Sequence, residues 1–289
     1  MHMGSTHDST ISSAECEKLL KNLVIPPRPL VLDTLMAMRN DPNINLQKVV
    51  TVIASDLALS ATILKAANSP IIKRGKRISS VSQAVSLLGI KNVVNLVSGL
   101  VLRTRLTGKA PAGIEVFWER AMLISLICTE LAQHFGLSSE DGASYALFHN
   151  SGIALMLMRY PHYERTLELI EMASDDRVSN VETELHGTSH DIVGYLVGLA
   201  WNMPEPFCQA ILLQYDPGVF DTRVNLPLDH DARQTIALTR AATNVWRTLT
   251  PGKRDAGWDA LSAAVLGLLG IDPAEFEDWR DRMHAQLAV

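Results

Sequence analysis

The chain has 289 residues, 47% of them hydrophobic and 20% charged, enough to close a real core in one large or two modest domains. Its net charge of −5 is spread along the sequence, which argues against a general nucleic-acid binder. No apolar run reaches the roughly 18 residues that a membrane span needs, and the polar start MHMGSTHDST lacks the apolar region of a signal peptide. The three cysteines, Cys16, Cys128 and Cys208, are odd in number and at no metal-ligand spacing, which suits a reducing compartment; Cys128 and Cys208 read as small core residues. A cytoplasmic protein is expected, with no membrane and no nucleic-acid partner.

Helical periodicity dominates, and no stretch alternates like a strand. Residues 1–12, rich in Ser and Thr, read as a disordered tail. A helix is expected over about 13–22, and the prolines of VIPPRPL (24–30) forbid its continuation. LVLDTLMAM then runs to a break at Asn40-Asp41-Pro42. Asn45 caps a helix whose Leu46, Val49, Val50 and Ile53 share a face; Asp56 caps LALSATILKAANS, with Leu59, Ile63, Ala66 and Ala67 inward. The short basic run Lys73-Arg74-Gly75-Lys76-Arg77 reads as a solvated loop, with contact to a phosphate or an acidic partner as the alternative. Ser80 and Gln83 form a capping box before AVSLL, Gly89 suits a left-handed stop, and IKNVVNLVSGLVLR makes another apolar-faced helix. Residues 13–106 therefore read as a bundle of short helices, in which Ala66, Ala67 and Gly99 allow close approach.

TGKAPAG (107–113) is a break, either a linker or a loop. A long helix over about 114–135 follows, with Phe117, Ala121, Ile124, Cys128 and Leu131 inward and Gly136 as its stop. Ser138 caps the next, which is expected to carry His149 and Asn150 in the middle of an apolar run, YALFHNSGIALML. A helix over about 163–174 ends at DDRVSN, and Thr188 with Asp191 resembles an N-cap with an acidic third position, opening IVGYLVGLAWNM. Pro204 and Pro206 open FCQAILLQY, which stops at Asp216-Pro217-Gly218. After a loop to about 229 the chain turns Ala-rich and helical, and Asp272, Pro273 and Glu275 supply a cap, a first-turn proline and an acidic first turn.

A catalytic metal site needs several converging His, Asp or Glu ligands and an open position. His149 is one candidate ligand, but its neighbour Asn150 is neutral and cannot take a proton from bound water as a carboxylate can. His186 and His190 are four apart, yet Gly187 and the cap at Thr188 put a helix boundary between them, so a polar helix terminus is the ordinary reading. Ser151 lies near His149, but residues this close on one helix diverge too far to make a nucleophile and base. There is no glycine-rich phosphate loop and no G-x-S-x-G elbow. Asp33, Asp56, Asp141 and Glu184 are carboxylates that nothing in the spacing selects.

The order of these elements resembles the HDOD domain, a divergent branch of the HD-type metal-dependent phosphohydrolases. The likeness is carried by IPPRPLVLDTLMAMRNDPNINLQKVVTVIASDLALSATILKAANSP (25–70) and by ISSVSQAVSLLGIKNVVNLV (78–97). It continues through Phe117-Trp118 and His149 to SHDIVGYLVGLAWNMPEPFCQAILLQYDP (189–217), so it spans about 20 to 217. The resemblance implies an all-α fold: an N-terminal helical bundle (13–106) packed on an HD-hydrolase-like half (114–217), with 218–289 as a C-terminal helical extension. It also implies a bacterial signal-transduction setting, in which many members lack activity and act as regulatory or scaffolding domains.

Carried over position by position, FWERA stands where the family has FWRHS, so Arg120 replaces the first metal-binding His. The HD dyad maps to His149 and Asn150, and Gln214 and Tyr215 stand where relatives often show paired His. A guanidinium has no lone pair for a cation, and at ~4 Å with an effective dielectric of about 20 it repels each unit of positive charge by roughly 4 kcal/mol. The expectation is a regulatory domain with a degenerate metal site, no catalytic residue, no metal, no cofactor and a protein partner; a homo-oligomer stays open. Two alternatives remain. One is a metal-dependent phosphohydrolase with an atypical ligand set, His149, His186, His190 and Asp191. The other is a sensor in which Arg120, with Gln214 and Tyr215, holds a nucleotide or another anion; an ordinary salt bridge from Arg120 to Glu119 or Glu184 competes with it. Trp246, Trp258 and Trp279 either pack back on the domain or form an oligomer surface.

Overall fold

The computed structural model describes residues 45–54, 57–72, 77–106, 114–137, 140–250 and 253–287, with positions 25, 34, 37 and 38. Among them every regular element is helical, and no single helix is long and apolar enough to cross a membrane. The expectations for the tail, the helix over 13–22, VIPPRPL, most of LVLDTLMAM, the Asn40-Asp41-Pro42 break, Asp56, Lys73 to Lys76, TGKAPAG, Ser138 and Cys16 lie outside the described residues.

The first half consists of α1 (Leu46–Ala54), α2 (Leu57–Ala67), α3 (Val81–Leu88) and α4 (Ile90–Leu106). Asn45 caps α1, its Oδ1 accepting from the Gln47 N–H at 2.8 Å. Val49 and Ile53 are fully buried, but Leu46, expected on the same face, is 39% exposed because it lies in the fraying first turn. Leu59, Ile63, Ala66 and Ala67 all point inward from α2. Ser80 caps α3 through the Gln83 N–H, and Gly89 ends it at φ 77°. Its ψ of 151° is extended rather than left-handed helical, which lets α4 restart at Ile90 without a loop. Gly99 brings α4 against the second half: a Cβ there would meet Leu147 at 3.1 Å.

The second half is built on α5 (Ile114–Phe135), whose Phe117, Ala121, Ile124, Cys128 and Leu131 are buried as expected. Next come α6 (Glu140–Phe148), α7 (Ser151–Arg159), α8 (Tyr163–Met172), α9 (Val178–His186), α10 (His190–Ala200) and α11 (Glu205–Leu213). The apolar run around His149 is not one helix. It breaks at His149-Asn150 into α6 and α7, Asn150 sitting at φ −101°, ψ 16° as the residue before α7. The break follows from packing: Gly152 lies against the start of α10, where a Cβ would come within 1.9 Å of the His190 carbonyl oxygen. Thr188 does not cap α10; Ser189, extended at φ −130°, ψ 160°, takes that place one residue later. Gly187 stops α9 at φ 73°, so His186 and His190 do lie on different helices.

The chain closes with α12 (His230–Arg247), α13 (Ala256–Leu269) and α14 (Pro273–Leu287). Helix α12 packs on α5, α6, α11 and α13, so residues after 217 enter the same core, which runs from Val49 to Met283. Trp258 and Trp279 are buried with Phe276 between them, and Trp246 lies under Arg120. All three rings pack within the chain.

Candidate functional site

The five positions singled out by the resemblance converge. Arg120 on α5, His149 and Asn150 at the α6–α7 break, and Gln214 and Tyr215 just after α11 line one cavity of ≈ 60 Å³. Helices α8 and α12 complete its wall with Glu171, Arg240 and Arg247 among others.

Arg120 is tied to neither Glu119 nor Glu184. Its Nη1 lies 2.7 Å from Glu171 Oε1 on α8, and its guanidinium stacks 4.0 Å over the Trp246 ring. Glu119 pairs instead with Lys65, because adjacent residues of a helix face different directions. Burial and the nearby Arg247 lower the Arg120 pKa, and Glu171 offsets part of that.

His149 Nδ1 faces two carbonyl oxygens, of Tyr145 at 3.2 Å and Ala146 at 3.0 Å, so it carries the hydrogen. Burial first, then the charge of His190, pushes the His149 pKa down to about 3, which leaves a neutral ring. The ring stacks on Tyr145 with centroids 5.4 Å apart. Asn150 Oδ1 is buried without a hydrogen-bond partner among the described residues. The Gln214 amide donates to the His149 carbonyl at 3.2 Å and the Ile211 carbonyl at 3.1 Å, so its donors hold the backbone and not a ligand.

The other three positions do not line the cavity. His190 lies behind Tyr215, its Nε2 3.0 Å from the Tyr215 hydroxyl. Its Nδ1 is 2.7 Å from Glu182 Oε2, which also accepts the His190 backbone N–H at 2.9 Å. The Tyr163 hydroxyl donates to the other oxygen of Glu182. Three donors on one fully buried carboxylate favour its ionised form. Burial alone would raise Glu182, but His190 and Tyr163 hold it low; burial alone would lower His190, but Glu182 holds it high. The two form a charged pair. Asp191 Oδ2 accepts from Ser179 at 2.8 Å, and burial raises its pKa. His186 Nε2 is 2.8 Å from Thr166 Oγ1, and its ring packs against Tyr160 and Tyr163.

The proposed set His149, His186, His190 and Asp191 is therefore not assembled as a ligand shell. Among the described residues no three His, Cys, Asp or Glu side chains gather where they could hold a metal ion. The Arg120 guanidinium and the Asn150 and Gln214 amides do not fit a divalent cation, the Glu171 and Asp175 carboxylates in the wall are held by Arg120 and Arg240, and His149, with Nδ1 on backbone and Nε2 open, is a single ligand.

Sequence reasoning missed the charge on α12. Arg240 bridges Asp175 and Asp255, and Arg247 Nη1 reaches Asp255 at 3.1 Å. Arg233, 5% exposed, donates to the carbonyls of Gly218, Val219, Asp221 and Val224 and so fastens the segment after Tyr215. The signal was present: Arg233, Arg240 and Arg247 recur every seven residues, one stripe of a helix. The partners of Glu182 carried no such local mark.

Comparisons with known proteins agree with this architecture. The family model of the HDOD domain matches residues 25–217. The chain is similar to an HDOD domain protein of unknown function from Geobacter sulfurreducens, with TM-score 0.69 and 20% identity over 94% of this chain and 95% of that one. A protein of Shewanella amazonensis SB2B described as a candidate phosphohydrolase gives TM-score 0.66 and 21% identity over 94% of both chains. A candidate signal transduction protein of Marinobacter aquaeolei VT8 gives TM-score 0.64 and 22% identity over 97% of this chain and 62% of that one. An uncharacterised protein of Treponema pallidum (strain Nichols) is 26% identical over 200 residues, 66% of this chain; the match spans 38% of that relative's length.

Proposed function

The chain belongs to the HDOD domain family, and on that premise we propose that it is a regulatory member with a degenerate, non-catalytic HD site, acting on a protein partner. What supports the reading is the arginine at position 120, paired with Glu171 and stacked on Trp246 where HD relatives hold a metal-binding His. A fixed cation there opposes a dication, and Asn150 and Gln214 supply neither charge nor a proton acceptor. The signalling description of the Marinobacter relative is consistent with such a role.

The test is metal content by mass spectrometry on protein grown with added manganese and iron, beside His149→Ala, with phosphodiester turnover assayed in parallel. Metal well below stoichiometric in both samples and no turnover dependent on His149 is the expected result. Stoichiometric metal that His149→Ala removes would overturn the reading and restore the hydrolase. A partner complex rebuilt from purified components is expected to survive His149→Ala, since the metal chemistry of that site plays no part in it.

A further inference from the structure

The cavity holds more hydrogen-bond capacity than its own residues use. Among the described residues, Glu171 is the one hydrogen-bond partner of the Arg120 guanidinium, whose Cζ lies 4.0 Å from the centroid of the Trp246 ring. Arg247 Nε is buried with no partner among the described residues, although its Nη1 reaches Asp255. Tyr215 is only partly buried at the cavity wall, and the His190–Glu182 pair holds its hydroxyl from behind.

We propose that this cavity is a receptor for one small oxyanion of the phosphate class, bound by Arg120, Arg247 and the Tyr215 hydroxyl, with the Glu171 carboxylate occupying Arg120 when the ligand is absent. Three physical arguments carry it. The first is size: at roughly 10–15 Å³ for each water, ≈ 60 Å³ accommodates about four to six waters or one tetrahedral anion, not the body of a nucleotide. The second is charge. Arg240 and Arg247 face Asp175 and Asp255, so once Glu171 turns away Arg120 is an unbalanced cation at the wall. Glu171 can turn away cheaply, its side chain being 42% exposed and its ion pair close to the surface. The third is donor direction. A His190 carrying both ring protons donates to the Tyr215 oxygen, which leaves the phenol hydrogen to point into the cavity. Charge-assisted hydrogen bonds to an oxyanion from two guanidinium groups are the strong kind.

This inference goes beyond the regulatory reading and does not need it: stoichiometric metal would sink that reading, and a cavity without affinity for oxyanions would sink this one. The test is calorimetric titration of the full chain with inorganic phosphate, sulfate and a nucleoside monophosphate, with ionic strength held constant by chloride. Saturable binding is expected. Arg120→Gln or Arg247→Gln weakens it by about tenfold or more, and Tyr215→Phe, which keeps the ring, weakens it several-fold. Glu171→Gln tightens it several-fold, because it removes the internal competitor. A purely structural ion pair would give no such opposition between Arg120→Gln and Glu171→Gln. A nucleoside monophosphate that binds more tightly than phosphate identifies the oxyanion as part of a nucleotide whose remainder lies outside the cavity. Equal or weaker binding identifies a free anion, and either supports the site. No saturable binding of any of the three by wild type and Glu171→Gln overturns it, and so does a Glu171→Gln variant that binds no more tightly than wild type.

Discussion

Asp255 carries much of the charge balance behind the cavity. It is 4% exposed, caps α13 through the Trp258 N–H and accepts from both Arg240 and Arg247. Burial by itself would raise its carboxyl pKa; the two guanidinium groups pull it down to about 2. A carboxyl depressed in the folded state stabilises above its unfolded value, near 3.8, and that contribution is lost as pH falls toward 2. The shift corresponds to about 2 kcal/mol. Urea unfolding of wild type and Asp255→Asn is expected to show the variant less stable at pH 5, with the gap narrowing between pH 4 and pH 2. A gap that does not change with pH would mean that Asp255 acts through packing alone. The cysteines tell the opposite story at the same scale: burial raises Cys128 to about 12 and Cys208 to about 11, so neither thiol ionises near neutrality.

The crossing of α7 and α10 shapes the site. It depends on glycine at two positions: the His190 carbonyl fills the space that a side chain at Gly152 would need, and Gly194 sits against Gly152 and Ile211. Backbone contact at this crossing brings His149, at the end of α6, close to His190, at the start of α10. Alanine at 152 meets a main-chain oxygen rather than a movable side chain, so α7 or α10 must shift. Gly152→Ala is expected to cost about 1–3 kcal/mol, read as a lower urea midpoint, and to disturb the Tyr215 environment by fluorescence or NMR. Unchanged stability would mean that the helices separate freely, and the packing origin of the break at Asn150 would fall. The arginine stripe of α12 works in the same way: one helix delivers Arg233 to the loop after Tyr215 and Arg240 and Arg247 to the cavity.

On the scale of the whole molecule, residues beyond 217 supply part of the site. Helix α12 lies between α5, α6 and α13, and its Ile236, Ala237, Ala241, Ala242 and Val245 are buried. A chain ending at residue 217 uncovers the α5 face and removes Trp246 from beneath Arg120. It is expected to lose cooperative thermal unfolding and to bind a hydrophobic dye, as exposed core surface does. A cooperative transition close to that of the full chain would show that α12 to α14 are dispensable for folding.

The resemblance to the HDOD domain singled out Arg120 and Asn150; by itself the sequence determined the helical class and most helix limits. Those depend on local rules: apolar residues recur at the helical period, and Asn45, Ser80, Gly136 and Gly187 mark helix ends through their own backbone and side chains. Tertiary structure alone decided which groups meet. Arg120 found Glu171, 51 residues away, and Glu182 gathered Tyr163 and His190 from two other helices. It also decided that the run around His149 is two helices: Asn150, Ser151 and Gly152 are weak helix formers and mark the place locally, but the apolar pattern runs on through them, and the close backbone contact with α10 is a tertiary feature. Periodicity reports which face of a helix turns inward. It is silent on which other helix that face meets and at what height, and those two quantities set every ion pair in the cavity.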